Sequence, residues 1–227
     1  MERYQKNEQA LSPAENRALR QKAVVIVGLG GLGGYAAEFF SRLGVRRLTL
    51  IDHDVFVPTN LNRQLNSYPD RLGESKAEAA RERINRVNPG IEVIAHQTEL
   101  TAANAADLLT GHDLIMDCLD SIQARLILED AAEALNLPLI HGAIGGWTGQ
   151  VSVILPGDQT LHHLYRNQTK VSDYWGNPVF TASAIASIQV SEAVKVLLDR
   201  DDTLHRKLLV ADFSLPEFII LDLPAAE

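Results

Sequence analysis

Apolar runs alternate along the chain with amphipathic stretches of helical period. Residues 23–28 form a continuous apolar run, which is typical of a strand buried on both faces of a parallel sheet. The same patterns predict further strands at 46–52, 91–96, 113–120, 138–144 and 150–156, and helices at 34–44, 76–88, 121–135 and 181–198. Strands that alternate with helices at this spacing predict the α/β class, with a doubly wound, Rossmann-like and mostly parallel sheet and additional C-terminal strands.

A helical arm is predicted before the first strand. Ser12 is a candidate N-cap, and Glu15 closes a capping box with it. The short helix that they start ends near Leu19, so residues 1–21 are predicted to form an arm, and the polar stretch 156–180 is predicted to be a crossover loop. No linker rich in Pro, Gly or Ser divides the 227 residues, which predicts a single domain.

Composition narrows the class of protein. The formal net charge is −8, which disfavours nucleic acid as a partner, because affinity for nucleic acid comes largely from clustered Lys and Arg. The polar N-terminus lacks the apolar segment of a signal peptide, and no apolar stretch approaches the length that spans a bilayer. We therefore expect a cytoplasmic protein without a membrane partner.

The chain has one cysteine, Cys118, which excludes an internal disulfide and any zinc site built from several cysteines. It lies in the apolar segment 113–120, where we expect a buried, inert thiol. His162 and His163 are adjacent, so in a strand they would point to opposite faces, and two ligands do not complete a zinc site. They are predicted to be surface loop residues, and no zinc is expected.

A glycine-rich turn follows the first predicted strand. Gly28, Gly30 and Gly33 fit the pattern G-x-G-x-x-G, which allows a tight turn, close approach of backbone N–H groups to phosphate and close packing of helix on strand. Asp52 ends the next strand, where a carboxylate can bind ribose hydroxyls. These features predict a nucleotide site. The glycines alone would also serve tight packing, and they do not choose between a nicotinamide cofactor and ATP.

The polar segment after the second predicted strand favours ATP. It places Asp54, Asn60 and Arg63 in one loop, and Lys76 follows at a helix start. Two cations suit a triphosphate, since Arg offers a planar fork to phosphate oxygens and Lys a point charge. Asp120 ends the fourth strand and is a candidate magnesium ligand. Taken singly, each residue has an alternative role: a loop ion pair for Arg63, a solvated helix face for Lys76, and the cap of the following helix for Asp120 or Ser121.

Six segments resemble, in order and spacing, the MoeB/ThiF/HesA family, the bacterial relatives of ubiquitin-activating enzymes. They are GLGGLGG, IDHDVFVPTNLNRQ, GESKAEAA, NPGIEV, DCLDS and HGAIGGWTGQV, and the similarity runs from RYQKN near the N-terminus through ASIQVSEAVKVLL. The resemblance implies a ThiF-type adenylation domain in which Asp52 binds ribose, Arg63 and Lys76 bind the triphosphate, and Asp120 binds Mg²⁺. The ATP site that it implies comprises Gly28, Gly30, Gly31, Gly33, Asp52, Asp54, Asn60, Arg63, Gln64 and Lys76, and the implied catalytic residues are Arg63, Lys76 and Asp120.

The activity that the resemblance implies is ATP-dependent adenylation of a carboxylate with release of pyrophosphate. In the family the substrate is usually the C-terminal glycine of a small ubiquitin-like sulfur carrier of the ThiS/MoaD type. A carboxylate is already ionised at neutral pH, so it needs no general base to attack the α-phosphorus. Cations, a metal and alignment of the reactants are then sufficient for catalysis. The remaining alternatives are a non-catalytic nucleotide-binding partner protein, adenylation of a peptide or of a tRNA-linked carboxylate, and an NAD-dependent oxidoreductase.

Three departures from the family pattern concern zinc, a crossover cysteine and the N-terminal motif. Many relatives carry two Cys-x-x-Cys pairs that bind structural zinc, and some carry a cysteine in the crossover loop, whereas this chain has neither. The family's N-terminal arginine, which reaches the nucleotide of the neighbouring subunit, corresponds to Lys6, with Arg3 as the alternative. The resemblance thus implies a homodimer, with residues 181–198 and 142–147 at its interface. Trp147 is predicted to serve core or dimer packing rather than substrate contact.

Overall fold

The protein folds around one eight-stranded sheet. A computed structural model describes residues 2–168 and 175–224. The strands are β1 (Ala23–Val27), β2 (Arg47–Ile51), β3 (Glu92–His96), β4 (Leu114–Asp117), β5 (Leu139–Gly145), β6 (Thr148–Ile154), β7 (Lys207–Asp212) and β8 (Glu217–Asp222). The α-helices are α1 (Pro13–Leu19), α2 (Gly31–Leu43), α3 (Lys76–Val87), α4 (Ala105–Leu109), α5 (Ile122–Ala134), α6 (Thr160–Leu164) and α7 (Val179–Leu197). Short 3₁₀ helices cover Glu2–Asn7, Pro58–Asn60 and Pro69–Arg71.

The sheet has the order β3-β2-β1-β4-β5-β6-β7-β8. Neighbouring strands pair in parallel from β3 to β5 and antiparallel from β5 to β8. After β1 the chain continues to β2 and β3 on one side and then returns to β4 on the other, so the order reverses at the carboxyl ends of β1 and β4. In open α/β sheets such a reversal leaves a crevice in which ligands bind.

Helices cover both faces of the parallel part of the sheet. Apolar side chains of α2, α3 and α7 form one buried cluster with β1, and those of α4, α5 and α6 form a second cluster on the opposite face. All residues of β1 and β4 are buried, as expected of central parallel strands. The doubly wound, mostly parallel α/β fold with additional C-terminal strands, β7 and β8, is therefore confirmed.

Local side-chain signals set the helix starts. Ser12 caps α1, and its hydroxyl and backbone N–H exchange hydrogen bonds with Glu15 in the predicted capping box. Ser75 caps α3, so Lys76 stands at the first helical position as predicted. The helix predicted from residue 34 begins earlier, at Gly31, because the glycine-rich turn itself supplies the first turn of α2.

The predicted crossover loop 156–180 contains helical structure. Residues 160–164 form α6, so the prediction that His162 and His163 lie in a loop is wrong. Glu129 of α5 accepts the backbone N–H groups of Leu161 and His162 at 2.8 and 2.9 Å, and this contact from a distant segment stabilises the short helix. Residues 169–174 of the predicted loop lie outside the described residues.

The helix α7 contradicts the prediction that no apolar stretch approaches the length that spans a bilayer. Its 19 residues are long and apolar enough to cross a membrane by length and composition alone. However, half of that stretch is buried against the rest of the protein, and α7 packs on α2, β5 and β6. Ala182, Ile185 and Ala186 are completely buried there, as in a core helix.

Candidate nucleotide-binding site

A cavity of about 620 Å³ lies at the carboxyl ends of β1, β2 and β4. Its volume falls in the range of roughly 300–1,000 Å³ that is usual for small-molecule sites. The crevice at the reversal of strand order is therefore a candidate binding site. Residues from the glycine-rich turn, the two following strand ends and the helix starts line it, among them Gly28, Gly30, Gly31, Asp52, Asp54, Arg63, Gln64, Lys76, Asp120, Ser121 and Arg125.

The glycine-rich turn has the backbone geometry of a phosphate-binding turn. Gly28 has φ +89°, which a residue with a side chain rarely adopts, and a Cβ there would collide with the carbonyl oxygen of Cys118. A Cβ at Gly33 would collide with the carbonyl of Gly28, so α2 packs closely on the turn. Gly30 is the N-cap and has no side chain to cap α2, which leaves the first N–H groups of the helix for an anionic ligand.

Asp52 is fixed at the end of β2 by backbone donors. Its Oδ2 accepts the N–H of Leu29 at 2.6 Å and its Oδ1 accepts that of Asp54 at 2.8 Å. Burial raises the pKa of Asp52, and the backbone hydrogen bonds and the charge of Lys76 oppose this rise. Each carboxylate oxygen can accept a further hydrogen bond, so the group can bind a hydroxyl of a ligand in the cavity.

Lys76 is a buried site residue. Its Nζ lies 2.8 Å from Asp54 Oδ2, and only 7% of its side chain is exposed, compared with 49% for Asp54. Burial raises the pKa of Asp54, but the hydrogen bond and charge of Lys76 outweigh this effect and lower it. The interpretation of Lys76 as part of a solvated helix face is therefore wrong. Asn60, also buried, orders the loop by accepting the N–H of Val57 at 3.0 Å.

Arg63 and Gln64 are placed to contact a ligand. Arg63 Nη1 donates to the carbonyl of Thr59 and to Asn62 Oδ1 at 2.8 and 2.9 Å, and Arg63 has no acidic partner among the described residues. A loop ion pair within this part of the chain therefore does not explain it. Gln64 is buried, and its Oε1 has no hydrogen-bond partner in the described ranges, so a ligand donor could satisfy it.

Asp120 is an exposed carboxylate at the rim of the cavity. The helix cap of α5 is Ser121, whose hydroxyl accepts the N–H of Ala124 at 3.1 Å. Asp120 itself has no hydrogen bond or ion pair with any described residue. A free carboxylate beside an anion site is a suitable ligand for a hard cation such as Mg²⁺. A cluster of metal-ligating side chains is also formed by Asp52, His53 and Asp54, but Lys76 already occupies Asp54 Oδ2.

Cys118 lies one residue beyond β4 and also lines the cavity. Its thiol is buried, as predicted, and lies 4.0 Å from Gln189 Oε1. Burial and the neighbouring Asp117 raise the pKa of the thiol well above its usual value. The thiol is therefore protonated at neutral pH and a poor nucleophile.

We expect Cys118→Ala to retain adenylation within about twofold of the wild type, because a protonated, buried thiol supplies no reacting group. Pyrophosphate exchange measures the activity, and non-reducing mass spectrometry after turnover detects covalent conjugates. No thioester or persulfide is expected on Cys118. A reducible conjugate mapped to this residue would show that it acts as a nucleophile.

The N-terminal arm lies away from the cavity of its own chain. Tyr4 is buried against Gly44 at the C-terminal end of α2, and its hydroxyl accepts a hydrogen bond from Asn88 at 2.8 Å. Because α2 begins at the cavity and is 13 residues long, its far end lies about 20 Å away. Arg3 and Lys6 flank Tyr4 and are exposed, so they do not reach their own cavity from this position.

Trp147 lies in the turn of the β5–β6 hairpin, which follows the end of β5. It is 52% exposed, so the predicted packing in the core is wrong, and its ring lies 4.7 Å from that of Phe180. Packing of Trp147 at a dimer interface stays a prediction. Arg125 lines the cavity but was not predicted to be a site residue. From the sequence alone, an arginine on a helix with several charged residues is indistinguishable from one exposed to solvent.

Comparisons with known proteins extend over most of the chain. Residues 4–225 match the family model described as "ThiF family". "Adenylyltransferase and sulfurtransferase MOCS3" of Drosophila sechellia is 34% identical over 202 residues, which are 86% of this chain but 45% of that protein. "Molybdopterin-synthase adenylyltransferase" of Escherichia coli (strain K12) is 32% identical over 206 residues, 88% of this chain and 83% of that protein.

The fold also matches solved structures. The E. coli tRNA N6-threonylcarbamoyladenosine dehydratase, TcdA, in complex with ATP superposes with a TM-score of 0.75 at 23% identity. The match covers 87% of this chain and 94% of that one. At this identity the likeness concerns the fold alone. The chain spans about half the length of the MOCS3 proteins that it matches.

Proposed function

The chain belongs to the ThiF family, and on that premise we propose that it is an ATP-dependent adenylyltransferase, which activates a carboxylate as an acyl-adenylate and releases pyrophosphate. The observation that carries the proposal is the grouping of two cations, Arg63 and Lys76, and a free carboxylate, Asp120, around one cavity beside a glycine-rich turn. This grouping suits a triphosphate with a divalent cation. The names of the curated relatives support the same activity.

The residues of the cavity have distinct roles in this proposal. Asp52 binds the ribose, the first N–H groups of α2 bind phosphate, and Arg63 and Lys76 bind the remaining phosphate oxygens. Mg²⁺ at Asp120 would neutralise part of the phosphate charge. The substrate carboxylate forms a bond to the α-phosphorus, and the bond from this phosphorus to the bridging oxygen of pyrophosphate breaks. No proton is transferred, so the protein supplies alignment and positive charge.

The carboxylate that we propose is the C terminus of a small ubiquitin-like carrier protein of the ThiS/MoaD type. Support comes from the family resemblance and from a relative named "Molybdopterin-synthase adenylyltransferase", which is 32% identical. The likeness to TcdA leaves a tRNA-linked carboxylate as the second candidate. The net charge of −8 counts against that candidate, because tRNA is itself a polyanion.

Exchange of labelled pyrophosphate into ATP tests the activity. We expect exchange that requires both Mg²⁺ and a carrier with a free C-terminal carboxylate, and a carrier with an amidated C terminus is the matched control. Calorimetric titration with ATP and with NAD compares the two nucleotides directly. The proposal would be contradicted if the protein bound NAD tightly and catalysed no pyrophosphate exchange with any carrier, peptide or tRNA-linked carboxylate.

A further inference from the structure

Two buried charged side chains hold the turn that carries Asp120. Asp117 Oδ1, at the end of β4, accepts the backbone N–H of Leu119 at 3.0 Å. Arg125 Nη2 donates to the carbonyl oxygen of the same residue at 2.5 Å. Both polar backbone groups of Leu119 are thus fixed from beneath the cavity. Because Leu119 directly precedes Asp120, the position of Arg125 affects where the Asp120 carboxylate lies.

Arg125 is the counter-ion of Asp117. Its Nε lies 3.5 Å from Asp117 Oδ2, and both side chains are almost completely buried. His141 Nδ1 lies 2.7 Å from the same oxygen, but burial lowers the pKa of His141, although Asp117 opposes this shift. The imidazole is therefore neutral at physiological pH and donates a hydrogen bond without neutralising the carboxylate. Loss of Arg125 would leave an uncompensated buried charge.

Tyr165, the residue directly after α6, contacts Arg125 of the Arg125–Asp117 pair. Its hydroxyl accepts hydrogen bonds from Arg125 Nη1 and Gln150 Nε2, both at 3.1 Å, and the Arg125 guanidinium lies 5.6 Å from the centre of its ring. Burial raises the pKa of Tyr165, so the hydroxyl keeps its proton. Gln150 Nε2 lies 2.9 Å from His141 Nε2, which closes the network. One side of the Arg125 guanidinium thus contacts the Asp120 turn and the other contacts Tyr165.

We propose that Tyr165, directly after α6, is a positioning residue that acts through Arg125 on the turn carrying Asp120 and so sets the affinity of the site for Mg²⁺·ATP. The inference rests on the proposed function, in which Asp120 holds the metal. Tyr165 is not in the lining of the cavity, so its effect is indirect. The link requires α6 to stay docked on α5, which the hydrogen bonds to Glu129 provide.

Calorimetric titration of ATP in EDTA and over a series of Mg²⁺ concentrations tests the proposal without turnover. The affinity for ATP should rise with Mg²⁺ concentration, and the midpoint of this rise reports how well the site holds the metal. We expect Tyr165→Phe to raise the midpoint about tenfold, which is typical when a residue that orients a metal ligand is lost. ATP affinity in EDTA should stay within about twofold of the wild type, since no direct ligand changes. Tyr35→Phe, on α2 and outside the cavity lining, is the matched control and should show neither shift.

A double-mutant cycle tests the route through Arg125. If Tyr165 acts through Arg125, Tyr165→Phe should add little to the shift that Arg125→Lys causes. Three results would overturn the inference and leave the proposed function standing. They are a Tyr165→Phe protein with the wild-type Mg²⁺ dependence, an equal loss of ATP affinity in EDTA and in Mg²⁺, and shifts that add up in the double variant. Failure of the wild-type protein to bind ATP under either condition would instead contradict the proposed function.

Discussion

Lys76→Ala is expected to lower kcat/KM of adenylation about a hundredfold, or ~2.7 kcal/mol of transition-state stabilisation. Lys76 is the buried cation of the site, and its Nζ lies within hydrogen-bonding distance of Asp54 and next to the cavity. A buried point charge stabilises developing charge on phosphate oxygens more than an exposed one does. Steady-state pyrophosphate exchange at saturating Mg²⁺ measures the effect.

The loss of Lys76 would also leave Asp54 beside Asp52 without its lysine partner, with only His53 Nε2 at 3.2 Å from its other oxygen among the described residues. Two controls separate this effect from a direct action of Lys76 on the substrate. Asp54→Ala in the Lys76→Ala background removes the unpaired carboxylate, and we expect no more than a small recovery if Lys76 acts on the substrate. Arg81→Ala removes an exposed cation from the same helix and should leave activity unchanged. Full recovery in the double variant would show that Lys76 merely neutralises Asp54.

Arg63→Ala and Asp120→Ala belong to the same experiment. Each is expected to lower kcat/KM at least about tenfold, because each removes one charged contact to the triphosphate or its metal. Arg63 is partly exposed and Asp120 is exposed, so the loss in each variant should be smaller than in Lys76→Ala. Wild-type exchange in all three variants would show that the site has been assigned wrongly.

The grouping of the candidate site residues around one cavity could be predicted from the sequence because its determinants are local. The run 23–28 predicts a buried strand, the glycines after it allow a tight turn, and acidic residues stand at the predicted ends of two further strands. Since parallel strands end at one edge of the sheet, these residues had to converge there. The burial of Cys118 followed from its apolar neighbours in the same way.

The features that escaped prediction depend on contacts between distant segments. The helix α6 has a polar sequence and is held by Glu129, which lies 32 residues before Leu161. Arg125 is buried because Asp117 needs a counter-ion, and no periodic pattern reveals such a pair. Trp147 is exposed in a hairpin turn, which contradicts the predicted core packing, while packing at a dimer interface stays a prediction.

The N-terminal arm leads to the last prediction, that each active site is completed by a second subunit. Tyr4 anchors the arm at the end of α2 that is about 20 Å from its own cavity. Arg3 and Lys6 can therefore contribute positive charge to a nucleotide only in another copy of the chain. We propose a twofold homodimer in which this exchange is reciprocal, as twofold symmetry requires.

The tail should be tested by point substitutions, since deletion of residues 1–7 would also remove the buried Tyr4 and its bond to Asn88. Arg3 and Lys6 are exposed, so Arg3→Ala/Lys6→Ala should change the free energy of unfolding by less than about 0.5 kcal/mol while lowering adenylation at least about tenfold. Thermal unfolding and exchange are measured on the same preparation. Arg17→Ala, which removes an exposed cation from α1, is the matched control.

Complementation decides whether the charge acts across the dimer. When Arg3→Ala/Lys6→Ala chains are mixed with Arg63→Ala chains, random exchange makes about half of the dimers mixed, and each mixed dimer has one site with an intact cavity and an intact partner arm. About a quarter of the wild-type sites should therefore recover, whereas each parent alone should retain at most about a tenth of the wild-type activity. Differential tags on the two chains allow mixed dimers to be isolated before assay. Verified mixed dimers without recovery, or a fully active monomer, would show that the arm does not act in trans.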